Sequence, residues 1–322
     1  MLQLQTPTER QYRTTVNHLA IALLVFYGLF NLYVLAMSYL VPSLADRLGT
    51  PFDTVLYEGA NGVLYAVAFL VPMAVFGILH RHSTPRVSAD LSLTLPPETP
   101  LYIFAVLALV SAAGYVNSWL LEVFEYRTFT DEMLFEMGAK TNVELVLTLF
   151  TLCIVPAFVE EILFRGVILK HLSPYGRTTA VLASALLFGL MHQNAGQFFY
   201  ATVAGLALGY VLLKTKSLWC CILIHFCNNF LSLFSSALGE RLTGQESTVL
   251  LFALEVAVFV FGIVAAVALM LRAKRTPETE AEDEAVLPLS RRLRLFFSIP
   301  MVIFFALCAA QMAMLLILSL LI

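Results

Sequence analysis

Apolar residues run along this chain in long, nearly continuous blocks. They lie near 18–42, 58–80, 100–121, 143–170, 178–194, 196–214, 217–238, 248–271 and 296–322. A helix rises 1.5 Å per residue and the hydrocarbon layer is about 30 Å thick, so blocks of about 20 residues predict spanning helices. The pattern therefore predicts an all-α fold, a polytopic membrane bundle of about eight to nine transmembrane helices. The first block is too long for a signal-peptide core and lacks a small-residue cleavage site, so it is expected to remain as a span.

The interruptions divide the chain into three parts: N-terminal spans with an outer loop over 1–142, a helical core over 143–240, and C-terminal spans over 241–322. The stretch 122–142 mixes Glu122, Glu125, Asp131, Glu132 and Glu136 with Phe124, Phe129, Leu134 and Phe135, which suggests an amphipathic surface helix or an ordinary solvated connection. The stretch 276–290 is acidic, contains two prolines and is flanked by basic clusters, as in a disordered cytoplasmic linker lying against anionic headgroups. The last span would then be a loosely attached accessory helix. In the sixth block, Ala201, Gly205 and Gly209 form a small-residue stripe that lets another helix approach closely, and Gly166 and Gly189 suggest the same use.

Composition sharpens this reading. With 60% hydrophobic residues, 13% charged residues and a mean hydropathy of +0.85, a soluble domain is excluded, and nothing supports nucleic-acid binding. All five cysteines lie within apolar blocks, which argues against disulfides and zinc-type cysteine clusters. Alternate connections hold fourteen Lys and Arg residues, against four on the other set. Positive charge is retained on the cytoplasmic side, so the N-terminus is expected in the cytoplasm and, after nine spans, the C-terminus outside. The protein is expected to be multi-pass in the plasma membrane.

Two carboxylates and a guanidinium stand together inside the fourth block, at Glu160, Glu161 and Arg165. An ionised group in hydrocarbon is expensive unless paired or hydrated, so this stretch is a functional-site candidate. Glu161 and Arg165 share a helix face at i,i+4 and are expected to pair, leaving Glu160 free. Pro156 has no N–H to offer the Leu152 carbonyl and can kink the helix toward a water-lined cavity. Measured from the cytoplasmic ends at 1.5 Å per residue, Glu160 lies about 15 Å deep, His192 about 21 Å, and His225 and Asn229 about 12 and 18 Å. Three helices thus place polar groups in one layer, in a cavity expected to open toward the cytoplasm. Carboxylate, imidazole and amide together suit water activation and oxyanion stabilisation; taken singly, each also suits helix packing. Glu255, His80 and His82 have no chemical company in the sequence and read as structural.

Glu160-Glu161-Ile-Leu-Phe-Arg165, Phe188-Gly-Leu-Met-His192 and His225-Phe-Cys-Asn-Asn229 together resemble the EExxxR, FxxxH and HxxxN signature of the CPBP intramembrane proteases, which include type II CAAX prenyl endopeptidases and abortive-infection and bacteriocin-immunity membrane proteins. The resemblance covers about 70 residues, from Glu160 to Asn229, with all three motifs complete and in order. It implies a helical membrane hydrolase in which Glu160 activates water, His192 and His225 assist, Asn229 stabilises the oxyanion, and Glu161 and Arg165 support them. The implied partners are the lipid bilayer and a membrane-associated peptide substrate, of CAAX type or otherwise close to lipid. Glu160, His192 and His225 could serve as a zinc site, since three protein ligands plus water is a usual catalytic set, or equally as a metal-free acid/base site. The alternative to an endopeptidase is a catalytically silent bundle whose polar cluster joins helices or moves protons or a solute.

Overall fold

The computed structural model describes residues 7–48, 54–81, 94–123, 142–241, 245–275 and 287–321. Helix α1 runs over 7–48, with a π turn at Ala36–Leu40. It is followed by α2 (Thr54–His80) and α3 (Thr99–Val123). Helix α4 runs over 142–172, and then come α5 (Arg177–Met191), α6 (Ala195–Thr215), α7 (Leu218–Arg241), α8 (Gln245–Arg275), α9 (Leu289–Phe296) and α10 (Ile299–Leu321). Eight of these helices are long and apolar enough to cross a membrane. Large apolar side chains such as Ile263, Val264 and Val267 on α8 stay exposed, as lipid-facing surface requires.

The basic connections meet at one end of the bundle. Arg291 pairs with Glu9 at 3.4 Å, Arg292 donates to the Thr179 hydroxyl, and Arg272 pairs with Glu98 at 3.4 Å. The Ser217 hydroxyl donates to the Thr94 carbonyl at 2.6 Å, and the rings of Tyr12 and Tyr175 meet edge to face at 4.8 Å. The charge count thus corresponds to a physical face of the molecule, called the basic end below.

Helix α5 differs from the full span expected over 178–194. Its 15 residues cover about 22 Å, less than the hydrocarbon layer. The chain reverses at 192–194 inside the bundle, where several of the turn's polar groups find partners while Gln193 Nε2 has none among the described residues. Gln193 has φ 57 and is buried, Asn31 on α1 donates to its side chain at 3.0 Å, Asn194 caps α6 by accepting from the Gln197 N–H at 2.8 Å, and Asn117 on α3 donates to the Gly196 carbonyl at 2.7 Å. Across the α5–α6 hairpin, a Cβ on Gly205 would stand 2.8 Å from the Ala185 Cα, so the small-residue stripe on α6 is a packing device. Gly189 is equally crowded, by Thr202 and Phe198. Gly166 meets only ordinary contacts at 3.8 Å and does not share this role.

Helix α10 is not loosely attached. It packs along α1 and buries Met301, Phe304 and Cys308 completely. Of the expected linker 276–290, the part over 276–286 lies outside the described residues, as do the amphipathic segment over 124–141 and His82. The stretch from Leu289 is already helical, with Leu295 and Phe296 buried.

Candidate active site

Helix α4 changes pitch on both sides of the two glutamates. Phe150–Ile154 and Ile162–Leu169 are π-helical, and Val155–Glu161 between them is α-helical. π turns widen the helix locally and recur at functional sites. Pro156 cannot supply an N–H to Leu152, and the Leu152 carbonyl accepts from the Asn229 side-chain amide at 3.1 Å instead. The backbone defect in α4 and the asparagine of α7 therefore satisfy one another.

Glu161 lies at the centre of a dry cluster. Its Oε1 accepts from Arg165 at 2.9 Å and from His225 Nδ1 at 2.9 Å, and Glu161 and Arg165 are both fully buried. Arg165 also donates to the Gly205 carbonyl at 3.2 Å, and its guanidinium lies 4.6 Å from the centre of the Phe188 ring. The expected pairing of Glu161 with Arg165 is present, but Glu161 has a second partner, His225. The phenylalanine of the FxxxH stretch has a physical role as the cover of this cation.

Glu160 is not free. Its Oε1 accepts from the Tyr65 hydroxyl of α2 at 2.5 Å. Its Oε2 is buried, stands 3.9 Å from His225 Nε2, and has no hydrogen-bond partner among the described residues. A carboxylate and a carbonyl can only accept, so the bonds of His225 Nδ1 to Glu161 and of His192 Nδ1 to the Phe188 carbonyl, at 2.9 Å each, put the proton on Nδ1 in both rings. In the neutral form, each ring then has Nε2 as an acceptor.

Glu160, His192, His225 and Asn229 all line one cavity of about 500 Å³. The cavity reaches Val106, Leu208 and Ile224, about 10 Å from the basic ends of α3, α6 and α7, but its polar wall runs the other way, not toward the basic end that the sequence led us to expect. Its wall continues through Tyr33, Asn61, Gln197, Ser232, Ser235 and Glu255, all in the halves of their helices remote from that end. On the basic side, the fully or nearly fully buried Phe164, Ile168, Val211, Ser217, Cys220 and Cys221 close the site. Among the described residues, apolar packing surrounds the Glu161–Arg165 pair on that side.

Sequence reasoning missed Tyr65 and Glu58. Glu58 is buried on α2 and accepts from Thr148 at 2.9 Å and Thr151 at 2.6 Å, which ties α2 to the first half of α4. Both are polar groups within an apolar block, the only signal available, and neither has a motif around it. The zinc expectation gains no support. Glu160 Oε1 is occupied by Tyr65, and among the described residues no group of three or more His, Cys, Asp or Glu is arranged to hold a metal ion.

Neither a curated protein nor a solved structure matches the chain. Residues 142–231 match the model of the family described as type II CAAX prenyl endopeptidase Rce1-like. That stretch takes in all three motifs, from Glu160 to Asn229, so the helical core of this chain is similar to that family over the segment that carries the polar site.

Proposed function

We propose that this protein is an intramembrane endopeptidase that hydrolyses a peptide bond of a membrane-associated substrate with water activated by Glu160. One observation carries the reading. Glu160 Oε2 is buried and unpartnered among the described residues, on the wall of a cavity it shares with His192, His225 and Asn229. A carboxylate so placed is suited to take a proton.

In the proposed reaction, a water donates one hydrogen to Glu160 Oε2 and the other to a histidine Nε2. Its oxygen attacks the scissile carbonyl carbon as the first proton passes to Glu160. The Asn229 amide has two hydrogens, one engaged by Leu152, and the second can stabilise the developing oxyanion. The C–N bond then breaks, and the leaving nitrogen takes the proton from Glu160. The Glu161–Arg165 pair holds His225 in the required tautomer and orientation. The asymmetry of basic residues supports an N-terminus in the cytoplasm, and we place the protein in the plasma membrane.

The test is a digest of prenylated and unprenylated peptides by the full-length protein in proteoliposomes, run in 18O-labelled water. Each new C-terminal carboxylate should carry one labelled oxygen, and Glu160→Gln should lower the rate of product formation by about 10²–10⁴. Cleavage at the wild-type rate by Glu160→Gln would remove this glutamate from the mechanism. Loss of activity with a chelator, restored by zinc, would make Glu160, His192 and His225 metal ligands.

A further inference from the structure

Along α7, His225, Asn228, Asn229, Ser232 and Ser235 form a polar stripe at helical spacing on the cavity wall, and it leads away from the basic end. Ten residues of helix make this track about 15 Å long. At the far side of the cavity stands Glu255 of α8, exposed, with the Tyr115 hydroxyl of α3 donating to it. It lies 17 residues from Arg272, about 25 Å above the basic end, within an otherwise apolar span. A carboxylate at such depth is expensive without a cation or water. Among the described residues the cavity wall holds two carboxylates, Glu160 and Glu255, and neither Lys nor Arg; Arg165 is committed to Glu161 outside the cavity. The buried, unpartnered Oε2 of Glu160 is aimed into the same space.

We propose that the cavity receives a peptide segment carrying a basic side chain, delivered from the face opposite the basic end, and that Glu255 selects it by its charge. This deepens the endopeptidase reading by naming the substrate's side and charge, and its consequence for cleavage rests on that reading. On the proposed orientation the substrate arrives from outside the cytoplasm.

Two measurements on the full-length protein test this, and neither needs catalysis. In intact cells, a membrane-impermeant sulfonated thiol reagent should label Ser235→Cys from outside, above the parent protein's background, and should label Lys216→Cys only after the cytoplasmic face is opened. Both cysteines labelling from the same face, or Ser235→Cys labelling only from the cytoplasmic face, overturns the assigned side. For charge, three fluorescein-labelled apolar decapeptides differing at one position, Lys, Ala or Glu, are titrated against the Glu160→Gln protein in detergent. This variant leaves Glu255 as the cavity's one described carboxylate. The Lys peptide should bind at least about tenfold more tightly than the Glu peptide. Adding Glu255→Gln should remove the difference, and adding Glu255→Lys should reverse it. Equal binding of the three peptides, binding of none, or a preference that survives Glu255→Gln overturns the proposal. If the charge preference holds and wild-type protein cleaves none of the peptides, the endopeptidase reading fails while the binding assignment stands.

Discussion

On one side of α4, Glu161, Arg165 and the Nδ1 edge of His225 form a closed set, fully or nearly fully buried and capped by Phe188 and the Gly205 carbonyl. On the other side, one residue away in sequence, Glu160 lines a cavity with His192 and Asn229; its unpartnered Oε2 belongs to that cavity's wall, whereas Glu161 Oε2 and Arg165 Nε, also without hydrogen-bond partners among the described residues, do not line it. The first region spends its charge on structure, since each ion there is neutralised by another. The second keeps its charge available for a ligand. His225 joins them, with Nδ1 in the closed region and Nε2 facing the cavity.

The comparison is broken most severely at Glu160. Glu160→Gln keeps the shape and the capacity to accept from Tyr65, but removes the group that takes the proton, so turnover should fall by about 10²–10⁴. Thermal stability in detergent should be unchanged; an accompanying large drop in melting temperature would mean that Glu160 belongs with the structural set.

Next come the partners of the closed region. Glu161→Gln and Arg165→Ala each leave an uncompensated buried charge, and breaking a buried pair costs about 3–5 kcal/mol. Both variants should melt earlier and lose activity together, measured as melting temperature and turnover on the same preparations. Activity loss without destabilisation at Glu161 would place both glutamates in the chemistry.

Tyr65→Phe should have a smaller effect, and on the cavity side alone. A hydrogen bond to a charged group is worth about 1.5–3 kcal/mol, so turnover should fall by roughly tenfold to a hundredfold while the fold is retained. Steady-state rates beside those of Glu160→Gln would show whether the tyrosine acts through this glutamate, since the double variant should then be little worse than Glu160→Gln alone.

The smallest expected effect lies in the packing that supports the closed region. Gly205→Ala would set a methyl group 2.8 Å from the Ala185 backbone and push α6 from α5, with overpacking of this kind costing about 1–3 kcal/mol. Gly166→Ala, at a position with only ordinary contacts, should leave the melting temperature nearly unchanged and serves as the control.

The sequence by itself determined the fold class, the sharing of one end by the basic connections, the Glu161–Arg165 pair and the order of the polar groups along the chain. These follow from composition and short-range periodicity: apolar length sets the spans, helical spacing sets the pair, and charge placement sets the face. Only the tertiary structure decided that Tyr65 holds Glu160, that His225 leans on Glu161, that Asn229 covers the carbonyl Pro156 leaves open, and that α10 is packed rather than appended. It also decided that the cavity's polar wall runs away from the basic end and reaches Glu255. Each of these is a contact between helices far apart in sequence. Helical periodicity states which residues share a face, and only the packing of that face against another fixes which group it meets.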